Sequence, residues 1–320
     1  MLSTAFTDLV GCQVPIQQAG MGGVSTPELA AAVADAGGLG MVSMVMHPAH
    51  DVAVALDALA GQTAGMVGIN FLMPFLDPEA IDVAASRVRV VEFFYADPDA
   101  ALVRRVHDGG SLAAWQVGSP AEARAAVDAG CDFIVAQGTE AGGHVRGQLS
   151  LLPLLDLVLD EVDIPVVAAG GIATARGVAA VLAAGASGAR LGTRFVATPE
   201  ANAHPLYIDA LLKASASDTV LTTAFSGMWP DAPHRVLSSC VEAAHNLTSE
   251  IVAEMSLGAA RTAVPRLSVP PPARDASGSV AAMALYAGES VGAVTEVTAA
   301  GEVVRELAEG AERLLRARAS

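Results

Sequence analysis

An α/β fold of eight βα units, closing as a (β/α)8 TIM barrel with an inserted helical cap subdomain near the C-terminus, is the architecture this 320-residue sequence predicts. Three observations carry that expectation. The composition is 52% hydrophobic, 16% charged and 4% aromatic, its apolar content lying in Ala, Val and Leu, which suits helices packed on buried strands rather than a β-sandwich. Helical segments end in Ala-Gly at Ala36-Gly37, Ala129-Gly130 and Ala184-Gly185, each followed by an apolar run, and a helix that stops and feeds a buried strand is half of a βα unit. The chain also exceeds the roughly 250 residues of a plain barrel, which leaves material for one added subdomain.

The strands are expected at 16–19, 39–43, 66–70, 88–94, 112–117, 133–137, 165–168 and 189–191, which makes eight. Helix starts between them are marked by Thr26-Pro27, Pro48, Pro78, Pro98, Ser119-Pro120 and Thr174. A doubly wound sheet competes through Gly20-Met21-Gly22-Gly23-Val24-Ser25, but Ser25 stands where the dinucleotide fingerprint needs glycine, and no acidic residue for a ribose closes the second strand. Beyond Thr198 the pattern changes. A helix through Leu211 and Leu212, then an irregular region reaching the proline-rich 270–278, read as a cap, so that 1–204 and 281–320 form the barrel and 205–280 the lid over its mouth. A last helix from Gly301, with Val303, Val304, Leu307, Ala308 and Leu314 at helical spacing, closes the outer wall.

Eighteen basic against 34 acidic residues give a net charge of −16, which repels a phosphate backbone and excludes nucleic acid as the expected partner. The only lysine is Lys213, so no P-loop exists, and a bound phosphate must be met by backbone N–H groups, hydroxyls or arginines. Cys12, Cys131 and Cys240 are odd in number and far apart, as expected of reduced thiols in the cytoplasm. Neither a membrane span nor a secretory leader is expected, since no apolar run reaches about 18 residues and the first residues lack a basic stretch.

In an α/β barrel the chemistry sits at the C-terminal ends of the strands, where the unusual residues of this chain concentrate. Gly20, Met21 and Gly22 follow the first strand and bring bare backbone against a flat ligand. Asn70 ends the third strand, and Gln137 opens the loop that leads through Gly142 and Gly143 to His144. Gly170-Gly171 and Gly192-Thr193 follow the seventh and eighth strands, the place where barrels hold phosphate on N–H groups. His144 is the expected catalytic residue, a titratable group in a glycine-flanked loop at the mouth, whereas His47, His50, His107, His204, His234 and His245 lack that context, although His47 follows the second strand and is placed to line the mouth. No metal site is expected, and no Gly-x-Ser-x-Gly supports a serine hydrolase.

These residues make the chain resemble the nitronate monooxygenase family, formerly called 2-nitropropane dioxygenases. The matching pieces are PIQQAGMGGVSTPELAAAVADAGGLG, GINFLMPF, QVGSPAEARAAVDAGCDFIVAQGTEAGGH, PVVAAGGIATARGVAAVLAAGASGARLGTRF and YAGESVGAV, covering nearly the whole chain. The resemblance implies FMN across the barrel mouth: its ring near Gly20, Met21 and Gly22, Asn70 and Gln116 bonded to it, Gln137, Gly142 and Gly143 alongside, and its phosphate on Gly170, Gly171, Gly192 and Thr193. It further implies His144 over the flavin, hydrogen-bonding a nitro group or acting as base, with an alkyl nitronate or nitroalkane and O2 as reactants. The same superfamily holds FMN-dependent enoyl-ACP reductases and NADH:quinone reductases, so a nicotinamide-driven reductase is the alternative, and a non-enzymatic FMN module a third. Monomer and homodimer are both left open.

Departures from the resembled pattern concern the substrate side. VVEFFYADPD stands where a more glycine-rich turn is usual, which alters the wall near Phe94 and Tyr95. Glu289 stands where glutamine is usual and is expected to bring a carboxylate close to the cofactor. With only Tyr95, Tyr207 and Tyr286, no tyrosine-rich substrate wall is expected, and Trp229 and Pro230 belong either over the flavin or in the cap's own small core.

Overall fold

The computed structural model describes residues 2–257 and 260–319. Its centre is a ring of eight parallel strands: β1 (Ile16–Gln18), β2 (Gly40–Ser43), β3 (Val67–Leu72), β4 (Val90–Phe94), β5 (Leu112–Val117), β6 (Phe133–Gln137), β7 (Val166–Ala169) and β8 (Gly188–Leu191). Each pairs with the next from β2 to β8, and β8 returns to β1 with Gln17 opposite Arg190. A parallel bridge from Gln17 to Leu39 closes the seam between β1 and β2, with Gln18 N–H donating to Leu39 O at 3.0 Å. The result is the barrel the sequence predicts. Strand ends shift by at most two residues, and β3 runs on to Leu72, so Asn70 lies within that strand rather than at its end.

Helices alternate with the strands and begin where the hydroxyl residues predict. Side-chain oxygens of Thr26, Ser119 and Thr174 accept from the backbone N–H groups of Leu29, Glu122 and Gly177. Along each strand the side chains alternate, so β4 sends Val91 and Phe93 outward to the helices and Val90 and Glu92 inward. The N-terminal end of the barrel interior is apolar, with Met41, Val90, Ala114, Phe133 and Val167 packed together. A short helix, Ala5–Val10, seals that end: Phe6 is fully buried and meets Phe133 edge-on at 5.3 Å. Six residues span too few turns to show a period, so this helix was illegible in the sequence.

Residues 205–280 hold the helices Pro205–Lys213 and Ser238–Asn246, and they also hold two small antiparallel sheets that the sequence reading did not foresee. In one, Thr219–Thr222 and His234–Leu237 pair with Gly143–His144 from the barrel. In the other, Ile251–Leu257 lies between Ala260–Pro265 and Ser277–Gly278. The helices expected in this region are present, and the strands beside them escaped the sequence for a physical reason. The alternation that marks a strand is broken by a bulge between Ile251 and Ala253, so Val252 and Ala253 are both buried and the period is lost. The last helix, Ala300–Ala319, packs on Ala175–Ala183 and Pro27–Asp35.

Candidate active site

Gly20, Met21, Gly22, Asn70, Gln116, Gln137, Gly142, Gly143, His144, Gly170, Gly171, Gly192 and Thr193 all line one cavity of about 1230 Å³ at the C-terminal ends of the strands. That exceeds the upper end of typical small-ligand pockets, about 1000 Å³. Met228, Met255 and Val269 complete the wall, together with Tyr207 and Tyr286.

The floor is a polar layer inside the barrel. Glu92 is fully buried, and its Oε1 accepts from Arg190 Nη1 at 2.6 Å and from Asn70 Nδ2 at 2.7 Å, while its Oε2 accepts from Gln17 Nε2 at 3.0 Å. Arg190 Nη1 also donates to Gln116 Oε1 at 2.9 Å. Desolvating both charges is costly, and the three amides offset that by satisfying them with hydrogen bonds. Sequence reading assigned Asn70 and Gln116 but missed Glu92, Arg190 and Gln17. The signal was present for two of them: Glu92 and Arg190 are each the one charged residue at an inward position of an otherwise apolar strand, whereas Gln17 shares its short strand with Gln18.

Around the rim the backbone is bare where ligand or neighbour comes close. A Cβ on Gly142 would lie 2.5 Å from Gly288 N, so the loop after β6 is seated directly on 287–288. Gly170 and Gly171 hold φ of 110° and 66°, turning the chain after β7 through conformations that favour glycine. Thr193 begins a one-turn helix after β8, and its Oγ1 accepts from Gly288 N–H at 3.0 Å. The segment YAGES is thereby tied to the loops after both β6 and β8.

His144 is not in a free loop, as the sequence suggested, but in the two-residue strand Gly143–His144, directly opposite His234. Its ring stacks on Trp229 with centroids 4.1 Å apart and stands 5.7 Å from Tyr286 and 6.1 Å from Tyr95. Its Nε2 is buried and has no hydrogen-bond partner. Burial, and then the neighbouring His234, push the imidazole down to about 3, so it is neutral at physiological pH. Gln137 supports this strand by donating from Nε2 to His144 O at 3.1 Å, while its Oε1 stays buried without a partner.

Three substrate-side expectations change. Glu289 does not bring its carboxylate to the cavity: Gly288 and Ser290 line it, whereas Glu289 is exposed and paired with Arg235 Nη2 at 3.1 Å. The three tyrosines, though few, all gather here. Tyr207 and Tyr286 line the cavity, and Tyr95 packs edge-on against Trp229 at 4.4 Å. Trp229 is buried against His144 while Pro230 is exposed, so the tryptophan faces the histidine and the proline does not. Phe94 lines the cavity as expected. Among the described residues no His/Cys/Asp/Glu group is arranged to hold a metal, and no helix is long and apolar enough to cross a membrane.

A closed parallel barrel with a large polar-floored cavity at its C-terminal mouth defines the class of small-molecule barrel enzymes. The chain belongs to the nitronate monooxygenase family of oxidoreductases, whose sequence model matches residues 3–86 and 77–310. It is 38% identical over 240 residues to a 5-hydroxy-7a-methyl-1-oxo-octahydro-1H-indene-4-carboxyl-CoA dehydrogenase of Rhodococcus jostii, an alignment covering 74% of this chain and 66% of that protein. It is 32% identical over 267 residues to a probable nitronate monooxygenase of Staphylococcus aureus, covering 69% and 75%. Among solved structures it is similar to nitroalkane oxidase from Streptomyces ansochromogenes, with TM-score 0.79, 32% identity and coverage of 99% and 100%. It is also similar to FabK from Thermotoga maritima, with TM-score 0.80, 29% identity and coverage of 99% of each chain.

Proposed function

We propose that the protein is an FMN-dependent nitronate monooxygenase that oxidises an alkyl nitronate with O2 to a carbonyl compound and nitrite. The observation that carries this reading is the neutral imidazole of His144 in the wall of a cavity built from glycine backbone and amide side chains. The residues present suit FMN. Gly170, Gly171, Gly192 and Thr193 offer backbone N–H groups to a phosphate. Gly20, Met21, Gly22, Gly142 and Gly143 leave room for a flat ring, and Asn70, Gln116 and Gln137 present amides to its polar edge. FMN, when bound, supplies the electron transfer that no side chain here provides.

The chain's own part is positioning and charge. A nitronate carries its negative charge on the two oxygens, and a ring N–H of neutral His144 donates to them without first becoming an imidazolium. The arriving anion raises the pKa of the imidazole, because opposite charge favours the protonated form. Trp229, Tyr95 and Tyr286 shield this contact from water. A conjugate acid near 3 makes a weak base towards a carbon acid, so the substrate in this reading is the nitronate, not the neutral nitroalkane. The setting is the cytoplasm, in keeping with buried free thiols at Cys12, Cys131 and Cys240 that burial pushes up to about 12.

A nicotinamide-driven reductase of a thioester or quinone is the second reading, favoured by the likeness to a CoA-thioester dehydrogenase. Anaerobic visible spectra separate the two. Bleaching of the flavin by an alkyl nitronate alone supports the monooxygenase, bleaching by NADPH alone moves the assignment to a reductase, and a protein that takes up no FMN sinks both. His144→Ala should keep its flavin and lose roughly 10²-fold or more in turnover of the nitronate; unchanged kinetics would remove His144 from the mechanism.

A further inference from the structure

We propose that Arg190, held in place by Glu92, meets the pyrimidine edge of the bound flavin and raises its reduction potential. The inference rests on the FMN reading above. Arg190 lines the cavity and is 6% exposed; Glu92 is 0% exposed and does not line it, so the buried pair turns its positive end towards the ligand. Only Nη1 of the guanidinium is engaged, by Glu92 and Gln116. Its Nε and Nη2 have no protein partner among the described residues, yet they are not among the buried orphans, so they open onto the cavity.

The pair also fixes which way two amides face. A carboxylate only accepts, so Asn70 must turn its Nδ2 to Glu92 and its Oδ1 to the cavity. A guanidinium only donates, so Gln116 must turn its Oε1 to Arg190 and its Nε2 to the cavity. The floor therefore offers one acceptor, Asn70 Oδ1, beside donors from Gln116 and Arg190. Phosphate oxygens, which all accept, do not match that pattern. The isoalloxazine edge does, because it presents an N–H between two carbonyls. Two electrons and one proton delivered to the ring leave a net negative charge on that edge, and a fixed guanidinium stabilises this charge more than it does the neutral oxidised ring. Arg190 thus tunes the cofactor directly, and Glu92 is a positioning residue that also sets the amides.

The test is the midpoint potential of the FMN-loaded protein, measured by dithionite titration against a reference dye, with the Kd of oxidised FMN beside it. The wild-type midpoint lies above that of free FMN. In the double variant Glu92→Gln/Arg190→Gln, which removes both charges and keeps hydrogen-bonding side chains, reduced FMN loses tenfold or more in affinity relative to oxidised FMN. That is a fall of about 30 mV for a two-electron couple. Arg190→Lys, which keeps the charge, retains most of the wild-type potential. A wild-type midpoint at or below that of free FMN overturns the inference whatever the variants do. So does a double variant with unchanged potential, including one whose only change is a higher KM for nitronate, which would assign Arg190 to the substrate. Wild-type protein that takes up no FMN overturns the parent reading and this one together, and is distinguished by the missing flavin spectrum.

Discussion

Tyr95 holds φ at 73°, a left-handed backbone that costs a non-glycine residue about 1–2 kcal/mol. Its ring returns more than that. It stands 5.2 Å from Phe94, 4.4 Å from Trp229 and 6.1 Å from His144, and aromatic pairs add about 0.5–1.5 kcal/mol each beyond burial. Tyr95→Gly should therefore lose ~1 kcal/mol or more of stability in urea unfolding, despite restoring the residue best suited to the backbone. A gain instead would mean that the ring contributes little. Trp229 tests the electrostatics of the same cluster. Removing the indole in Trp229→Ala admits water to the His144 ring, and its pKa should climb from about 3 towards the ordinary value of about 6.5, followed by the ring-proton NMR shift. The same variant loses about 3 kcal/mol of stability, as expected for a buried aromatic truncated to a methyl group. A pKa that stays near 3 would show that the indole contributes little to the burial of the ring.

The loop from β6 to His144 contains two adjacent glycines with different roles. A Cβ on Gly142 meets the backbone of Ala287 and Gly288, with 2.5 Å to Gly288 N, whereas one on Gly143 meets nothing within 4 Å and is penalised only by its φ of 79°. Gly143→Ala should cost about 1–2 kcal/mol through its backbone conformation alone. Gly142→Ala has to part the loop from 287–288 and should cost more, with FMN lost on gel filtration; equal effects would show that the two loops separate freely. The contrast also shows what a sequence reveals. The βα rhythm and glycine loops were legible because strand burial and helix ends leave local marks, as in Ala184-Gly185 and Thr174. The floor pair Glu92–Arg190 joins residues 98 positions apart, and the His144–His234 pairing depends on the distant strand His234–Leu237. Neither partner announces the other, since such contacts exist only once the barrel has closed.

At the scale of the whole molecule, pH acts through two opposed effects. The net charge of −16 makes the compact fold repel itself, and protonation relieves that, so mild acid should stabilise. Buried neutral histidines act the other way. The folded His144 pKa of about 3 lies below the unfolded value of about 6.5, and burial lowers His234 as well. Between the two His144 values the unfolded chain binds a proton that the folded chain does not, so the stabilisation from His144 is complete above about pH 6.5 and is lost as pH falls towards 3, and His234 acts in the same direction. At pH 5 the unfolded imidazole is about 1.5 units below its pKa, and at about 1.4 kcal/mol per unit His144 alone removes ~2 kcal/mol. Because the charge repulsion opposes this, the measurement is a difference. Urea midpoints at pH 7.5 and pH 5 are compared for the wild type and for His144→Phe, which keeps a ring on Trp229 and cannot take a proton. The wild type should lose ~2 kcal/mol more than the variant over that interval. Equal losses would mean that the folded His144 already titrates near its ordinary pKa, in which case the neutral imidazole on which the proposed chemistry depends would be absent at pH 5.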